Sequence, residues 1–482
     1  AGETYLLTSL LSQWMVTSIY VKNNVLASTS SMAQKANKLL TFKKRNLITA
    51  ILLECSNFGS SIFYLVFHSI RTITSTQTLP LKTMFNQSHT RTLLILCAVL
   101  AFGALAIDMY LPALPAMAND LGASPAQMQL TLSVFFAGFC VGMLVYGPLS
   151  DHFGRRTLTL SGVALFAVTS AACILANNVH QLIILRGAQA LGCGACVVMA
   201  RAAARDVFPV SQLPSMMSKM SLITMVAPLS APSLGALCLW LAGWRSIFML
   251  LTVIALTAFY FVYRYVPETH TPDKNSRLHL GGVLSNYWSL LKSKQKLTLI
   301  LCNAFAMSGM FAFISGSPFV YTQLLGYSEF QFALLFASNI LMMYLVTTLN
   351  LYLLKRFEAA VLMVYQAAVL LLSGIGLITL TYLGHVAFIV PLVIVYVSHV
   401  NALCANGTAC LLRLHPSARA GSVSALSSSL QFGLAALSTL LVAMFSDHPA
   451  FAMTGVMALF SIGALLCAWN QRRSHLHLPA LV

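Results

Sequence analysis

One acidic residue, Asp108, lies inside a long apolar stretch of this sequence, ALAIDMYLPALP at residues 104–115. If the stretch crosses a bilayer, a carboxylate there costs about 2.5–3.5 kcal/mol, so such acids usually face a cavity or a partner. Burial disfavours the charged form of a carboxyl group, which brings proton exchange within reach. Pro112 has no N–H to bond the carbonyl oxygen of residue 108, so that oxygen is free beside the acid. The pattern predicts proton binding at Asp108; the alternative is an aspartate that only reaches the outer membrane interface.

A basic residue, Arg186, opens a second apolar stretch, RGAQALGCGAC, and is the natural partner for the acid. Gln189 follows it at i+3 and shares its helical face. The small residues that come next allow neighbouring helices to approach closely. Two interpretations stay open and do not exclude each other: a structural ion pair, and a pair that responds to a proton or a substrate.

The segment GPLSDHFGRR, at residues 147–156, is the most specific pattern in the chain. The Gly-Pro pair breaks a helix, the aspartate can accept hydrogen bonds from backbone N–H groups or an arginine, and the second glycine permits a tight reversal. The two arginines anchor the turn in the cytoplasm. A generic basic loop would explain the arginines but not the other residues. The defining residues are Gly147, Asp151, Gly154, Arg155 and Arg156.

The composition indicates that most of the chain lies in a membrane. Of the 482 residues, 58% are hydrophobic and only 8% are charged, whereas soluble proteins carry about 25% charged residues. Apolar runs of roughly 20 residues recur, which is long enough for a helix to cross ~30 Å of hydrocarbon. The formal net charge of +17 is concentrated in alternate short loops, the positive-inside pattern. Its expected partner is therefore anionic lipid and not nucleic acid.

We predict an all-α polytopic membrane protein with twelve transmembrane helices, here called spans 1 to 12, in two six-helix bundles. The charge bias places both ends of this core in the cytoplasm. In this frame Asp108 lies about 6 Å from the outer end of span 1 and Arg186 about 7 Å from the outer end of span 4. The predicted limits are 92–112, 127–149, 157–176, 181–202, 216–241, 246–266, 297–322, 329–354, 359–382, 385–409, 420–443 and 449–470.

A polar and basic segment divides the spans six and six. We predict an N-terminal bundle at 84–266, a cytoplasmic linker at 267–296 and a C-terminal bundle at 297–482. The loop LYLLKRFEAA, at 351–360, is a weak repeat of the loop at 147–156, as expected for a transporter built from paired halves.

The first 83 residues do not fit this frame. Their one long apolar run, residues 47–70, would violate the charge bias if it crossed the membrane, and Met84 opens a natural-looking start, MFNQSHTRTLL. We therefore expect residues 1–83 to be a non-native or disordered extension that is absent from the working protein.

On these motifs the chain resembles the major facilitator superfamily, and more narrowly the bicyclomycin-resistance family of bacterial drug–proton antiporters. The resemblance runs from about Met84 to the C-terminus, and its motifs are GPLSDHFGRR, IDMYLPALP, LRGAQALG, RAAARDVF and SPFVY. It implies a two-bundle fold with alternating access, proton-driven export, and Asp108 and Arg186 near the coupling site. The loop at 147–156 would belong to a cytoplasmic gate.

Span 5 departs from the antiporter motif of these relatives, which is rich in glycine. The sequence here is MVAPLSAPSLGALC, with Ala or Ser where Gly is often found, and it keeps Pro228, Pro232 and Gly235. The second half contains no membrane-embedded acid, so Asp108 alone would carry the coupling.

Polar and aromatic residues of several spans are candidates for a substrate cavity, which would suit flat, apolar compounds. For the histidine among them the alternatives are a hydrogen-bonded interhelical residue and a group that titrates. The candidates are Tyr110, Gln189, Ser317, Phe319, Tyr321, His399 and Asn401.

We therefore expect a secondary active transporter and not an enzyme. It is interpreted as a proton-coupled antiporter that exports small amphipathic compounds or drugs across the bacterial cytoplasmic (inner) membrane. Its partners would be the substrate, protons and the lipid bilayer, and it would act as a monomer without cofactor or metal. The nearest alternative is a proton-coupled importer of a small metabolite. A channel or a membrane-embedded enzyme is more remote, because the spans contain no metal-ligand cluster and no Ser-His-Asp set.

Overall fold

The computed structural model describes residues 87–207, 216, 220, 223–269, 287–414 and 420–476. These residues belong to one compact unit, Phe85–Val482. The predicted extension at 1–83 lies outside the described residues. The boundaries of the two bundles and of the linker stay predictions, since residues 270–286 also lie outside them.

All regular secondary structure in the described part of the chain is helical. Eleven helices are long and apolar enough to cross a membrane, and a twelfth apolar helix, Val226–Ala242, has 17 residues. The predicted start of span 5 lies largely outside the described residues. The all-α membrane fold is thus confirmed, with eleven spans of full length. The bounds are Arg91–Asp120, Pro125–Phe153, Arg155–Ile174, Val179–Val207, Val226–Ala242, Arg245–Tyr265, Lys294–Leu324, Glu329–Leu353, Ala359–Tyr382, Val386–Arg413, Ala420–Met444 and Pro449–Leu476.

Span 1 continues beyond its predicted outer limit at residue 112, which was wrong. Pro112 and Pro115 do not end the span, because each occupies one of the first two positions of a short helical segment, where a missing N–H leaves no hydrogen bond unmade. The span is therefore a chain of four segments: Gln87–Leu100, Phe102–Asp108, the 3₁₀ turn Leu111–Ala113, and Leu114–Asp120. Asp108 consequently lies about 18 Å from the C-terminal end of span 1 at Asp120, and not about 6 Å.

Span 2 also differs from expectation at its C-terminal end. The predicted break at Gly147-Pro148 is wrong, because a single helix runs through Pro148 to Phe153. One proline removes one backbone hydrogen bond, and a membrane helix packed among neighbours tolerates that loss. The reversal occurs instead at Gly154, whose φ of 85° suits a residue without a Cβ.

Spans 2 and 8 begin with the same local structure. In span 2 the Ser124 hydroxyl accepts from the Gln127 N–H at 3.3 Å, and the Gln127 side chain accepts from the Ser124 N–H at 3.0 Å. Ser328 and Gln331 repeat this capping box at 3.3 and 2.9 Å. The two boxes are as far apart in the chain as the two loops of the predicted repeat.

Small residues bring spans 2 and 4 together, as the Gly- and Ala-rich stretch after Arg186 predicts. A Cβ added to Gly138 would lie 2.6 Å from the carbonyl oxygen of Gly187, and one added to Gly194 would lie 2.9 Å from the Cα of Gly142. The backbones therefore touch at two successive levels. This close packing fixes the height of Arg186 relative to span 2.

The first six and the last six spans meet chiefly where span 2 packs on span 11 and where span 5 packs on span 8. The outer segment of span 1 also contacts spans 7 and 8. The acid of span 1 thus lies on an element that reaches the second half of the molecule.

Candidate functional site

Asp108 is the last residue of the segment Phe102–Asp108, and only 6% of its surface is exposed. Within the described part of the chain its carboxyl group has no hydrogen-bond or ion-pair partner. Because a buried charge without a partner is costly, this position suits a group that binds and releases a proton.

The helix break after Asp108 packs directly on span 5. A Cβ added to Gly235 would lie 2.8 Å from the carbonyl carbon and 2.9 Å from the Cα of Met109. Gly235 is thus the span 5 position at which the chain needs a glycine. Pro232 is buried one turn earlier in the same helix, and Pro228 lies in its first turn.

Arg186 is fully buried, and its guanidinium group lies between two aromatic rings. The guanidinium carbon is 4.4 Å from the ring centre of Tyr110 in span 1 and 4.2 Å from that of Phe135 in span 2. Cation–π contacts of this kind stabilise a cation that is removed from water. Arg186 therefore joins spans 1, 2 and 4.

Hydrogen bonds hold Gln189 and Tyr110, which both contact this guanidinium group, in place. Arg186 Nη1 donates to Gln189 Oε1 at 2.6 Å, and Gln189 Nε2 donates to Ser170 Oγ of span 3 at 2.7 Å. The Tyr110 hydroxyl donates at 2.8 Å to Thr131, since Thr131 gives its own proton to the Met128 carbonyl. The predicted sharing of one face by Arg186 and Gln189 is thus found as a direct contact.

The predicted pairing of Arg186 with Asp108 is not found in this structure. Among the described residues the ion pairs are Arg155–Asp206 and Arg245–Asp120. Arg186 Nε and Nη2 have no hydrogen-bond partner although both atoms are buried. Because arginine stays charged, the site holds a fixed cation with two unused donors. These two donors of Arg186 can therefore bind a group that accepts hydrogen bonds.

The loop after span 2, predicted to be cytoplasmic, is tied to spans 4 and 6. Arg155 Nε lies 3.2 Å from Asp206 Oδ2 at the end of span 4, and Arg155 also donates to the Ser150 hydroxyl. Arg156 Nη2 donates to the Tyr263 carbonyl of span 6 at 2.6 Å. The side chain of Asp151 lies outside the described residues. Gly147 has open space where a Cβ would stand.

Glu268, just after span 6, completes this loop and was missed by sequence reasoning. Its carboxylate accepts from the N–H of Arg155 at 2.8 Å and from that of Arg156 at 3.2 Å. These are the first N–H groups of span 3, which have no partner inside the helix, and a negative charge is favourable there. Glu268 thus links the segment after span 6 to the start of span 3.

Replacing Glu268 with alanine is expected to lower the free energy of unfolding by about 0.5–2 kcal/mol, the usual contribution of a helix N-cap. The measurement is the thermal unfolding of the purified protein in detergent. Glu358→Ala is the matched control, because Glu358 stands at the N-cap of span 9 without a side-chain cap bond. Equal destabilisation by the two variants would contradict the role of Glu268.

The candidate cavity residues divide into separate groups. Tyr110 and Gln189 contact Arg186. In span 7, Ser317, Phe319 and Tyr321 are buried, and the hydroxyls of Ser317 and Tyr321 have no partner. The Tyr321 ring lies 6.0 Å from Phe332 of span 8.

The two candidates of span 10 are held by local contacts. Asn401 Nδ2 donates to Thr347 of span 8 at 3.1 Å. The ring of His399 lies 2.9 Å from the carbonyl of Val395 in its own helix and 6.5 Å from the exposed Tyr365. These contacts make a local structural role the better interpretation of His399.

Three carboxamides of spans 8 to 10 were also missed. Asn350 Nδ2 donates to Asn406 at 3.1 Å, Asn406 Nδ2 donates to Gln366 at 3.1 Å, and Gln366 Nε2 donates to Asn350 at 2.8 Å. All three side chains are buried. This closed ring of hydrogen bonds joins spans 8, 9 and 10 of the second half through uncharged side chains.

Residues 94–439 match the model of the Major Facilitator Superfamily. The chain is 36% identical over 252 residues to a bicyclomycin resistance protein homolog of Haemophilus influenzae, an alignment that covers 52% of this chain and 63% of that protein. It is 34% identical over 259 residues to a chloramphenicol resistance protein of Pseudomonas aeruginosa, covering 52% and 59%. For the multidrug resistance protein MdtL of Escherichia coli O157:H7 the values are 29% over 235 residues, covering 48% and 58%.

Each of these alignments spans less than two thirds of the relative's own length. Among solved structures, the fold is similar to that of the D-xylose-proton symporter, with a TM-score of 0.62, 16% identity, and coverage of 79% of this chain and 96% of the other. A bacterial homolog of the human lysosomal transporter Spinster gives a TM-score of 0.61 at 16% identity, covering 82% and 98%. At these identities the similarity concerns the fold alone.

Proposed function

Because the chain belongs to the Major Facilitator Superfamily, whose members are transporters and not enzymes, we propose that it is a proton-coupled antiporter. In this proposal it exports small amphipathic compounds, drugs among them, across the bacterial cytoplasmic membrane by alternating access. One observation carries the proposal. Asp108 is buried at a helix break without a partner among the described residues, two residues before the ring on which the Arg186 guanidinium lies.

The proposed cycle uses one proton site. In the outward-facing state Asp108 takes up a proton from outside, which favours release of the exported compound. In the inward-facing state the proton leaves to the cytoplasm, and the affinity for the compound returns. The helix break after Asp108 allows this part of span 1 to shift between the two states, and the proton gradient drives the cycle without a cofactor. The protein acts as a monomer, with both ends of its core in the cytoplasm.

The names of the relatives support export of drugs. The relatives described above are a bicyclomycin resistance protein homolog, a chloramphenicol resistance protein and a multidrug resistance protein. Bicyclomycin and chloramphenicol are therefore suitable first compounds for a transport assay.

Transport in oriented membrane vesicles tests this function. Everted vesicles that contain the protein, energised by respiration, are expected to accumulate labelled chloramphenicol or bicyclomycin, and a protonophore should abolish the accumulation. Right-side-out vesicles should show none. Vesicles from cells that lack the protein are the control.

Two results would overturn the proposal. Proton-driven accumulation in right-side-out vesicles only would identify an importer. Flux of both compounds that neither saturates nor responds to the gradient would indicate a channel.

A further inference from the structure

Four phenylalanine rings meet at the contact between the two halves of the molecule. The ring centres of Phe136 in span 2 and Phe311 in span 7 are 4.5 Å apart, and those of Phe139 in span 2 and Phe432 in span 11 are 4.4 Å apart. Phe311 and Phe432 are 5.6 Å apart. Each ring therefore contacts a ring of the opposite half. We call these four residues the phenylalanine cluster.

The cluster lies at the level where a transported compound must pass. Phe136, Phe311 and Phe432 each stand near the middle of their spans, Pro125–Phe153, Lys294–Leu324 and Ala420–Met444. Spans that start at opposite membrane faces thus meet at mid-depth. Alternating access moves one half against the other, so these ring contacts must change during the cycle.

Close packing of helices in a membrane is usually made by small residues and does not need bulky rings. Within the first half, spans 2 and 4 meet through Gly138 and Gly187, as is usual for permanent contacts in lipid. Between the halves, the same span 2 presents phenylalanine. Aromatic faces that separate during transport leave a gap into which another flat ring fits, in offset-stacked or edge-to-face contact.

An unbroken row of aromatic contacts joins the cluster to Arg186. Phe135 stacks on Phe139 with ring centres 6.2 Å apart and an angle of 20° between the planes, and the Arg186 guanidinium carbon lies 4.2 Å from the Phe135 ring centre. Arg186 Nε and Nη2 are buried donors without a partner. The aromatic row thus leads from the contact between the halves, through Phe135, to the unused N–H donors of Arg186.

The charged groups around this row favour an acceptor over a cation. Asp120 is paired with Arg245 at the outer end of span 1, and Asp206 is paired with Arg155 at the cytoplasmic end of span 4. Asp108 forms no ion pair with Arg186 among the described residues, and it is Arg186, charged throughout the cycle, that lies at the end of the aromatic row. A compound with a carbonyl, nitro or carboxylate group can use the free donors of Arg186, whereas a cation without an acceptor would be repelled by it.

Resting on the proposed function, we infer that the aromatic compounds among those exported are neutral or anionic and carry a hydrogen-bond acceptor. Their ring binds at the phenylalanine cluster, and their acceptor binds at Nε and Nη2 of Arg186. Aromatic cations that lack an acceptor are not substrates.

Equilibrium binding to the purified protein, without a gradient, tests this inference. The probes are labelled chloramphenicol, a nitroaromatic amide, and tetraphenylphosphonium, an aromatic cation without an acceptor. Phe311→Leu and Phe432→Leu are each expected to weaken chloramphenicol binding by about tenfold, because the ring contacts are lost while most of the apolar volume remains. Tetraphenylphosphonium should not displace chloramphenicol from the wild-type protein.

Phe305→Leu is the matched control, since Phe305 of span 7 packs on Phe460 of span 12, 6.0 Å away and inside the second half. It should leave chloramphenicol affinity unchanged. Equal effects of all three substitutions, no effect of the cluster variants, or displacement by tetraphenylphosphonium would overturn the inference. The displacement experiment with tetraphenylphosphonium uses the wild-type protein, so its result does not depend on how well the variants fold.

Bicyclomycin separates this inference from the proposed function, because it has no aromatic ring. Proton-driven export of bicyclomycin that persists while the wild-type protein fails to bind chloramphenicol would refute the aromatic site and leave the antiporter intact. Loss of gradient-driven transport of every compound would refute the proposed function itself.

Discussion

Replacing Asp108 with asparagine is expected to abolish the proton release that follows addition of substrate to the purified protein. Asparagine has nearly the same size but cannot titrate, and Asp108 is the one acid in the described membrane spans that is buried without a partner. Proton-driven accumulation of substrate in everted vesicles should fall to the level of vesicles without the protein. The affinity of the wild-type protein for substrate should decrease as the pH falls, whereas that of the variant should not depend on pH.

Asp120→Asn is the control for this experiment. Asp120 ends the same span, but it accepts from Trp244 at 2.9 Å and from Arg245 at 2.8 Å, and its side chain is 48% exposed. Its variant should keep both proton release and transport. Unchanged proton release by Asp108→Asn would remove Asp108 from the coupling role.

Replacing Gly235 with alanine is expected to have the second largest effect. The new Cβ would stand 2.8 Å from the carbonyl carbon of Met109, and no flexible side chain is there to move aside. Span 5 or the break beside Asp108 must therefore shift, at a cost of about 1–3 kcal/mol in the free energy of unfolding. Transport should fall as well, because the helix break that positions Asp108 is displaced.

Thermal unfolding in detergent and vesicle transport measure these two effects. Gly455→Ala is the matched control, because a Cβ there would meet only the Cδ1 atom of Ile378 at 3.9 Å among the described residues. If Gly235→Ala and Gly455→Ala behave alike, the contact between span 5 and the helix break is not what positions Asp108.

The positions of the spans could be predicted from the sequence, because length and hydropathy alone decide which segments cross a bilayer. The ends of the spans were harder to predict where the sequence contains proline. Span 1 was predicted to end at residue 112 and Gly147-Pro148 to break span 2, yet Pro112 and Pro148 both stand inside spans. A proline ends a helix only where its missing N–H is needed for a backbone hydrogen bond. Whether the bond is needed depends on how the neighbouring segments pack.

The candidate site was predicted in its residue types but not in its contacts. The i+3 spacing of Arg186 and Gln189 is enough to predict their contact, because it follows from helix geometry alone. The absence of a direct Asp108–Arg186 pair was not predictable, since the assumed depth of Asp108 depended on the end of span 1. Nor could the sequence single out the phenylalanine cluster among 28 phenylalanines, because only tertiary contacts show which rings meet.

The matching capping boxes of spans 2 and 8 are a feature that two paired halves of one architecture are expected to share. Elsewhere the halves differ in charge. The first contains the buried Asp108 and Arg186, while the second joins spans 8, 9 and 10 with uncharged carboxamides. In the proposed cycle the proton therefore binds in one half only, and the other half contributes no buried acid from its described spans.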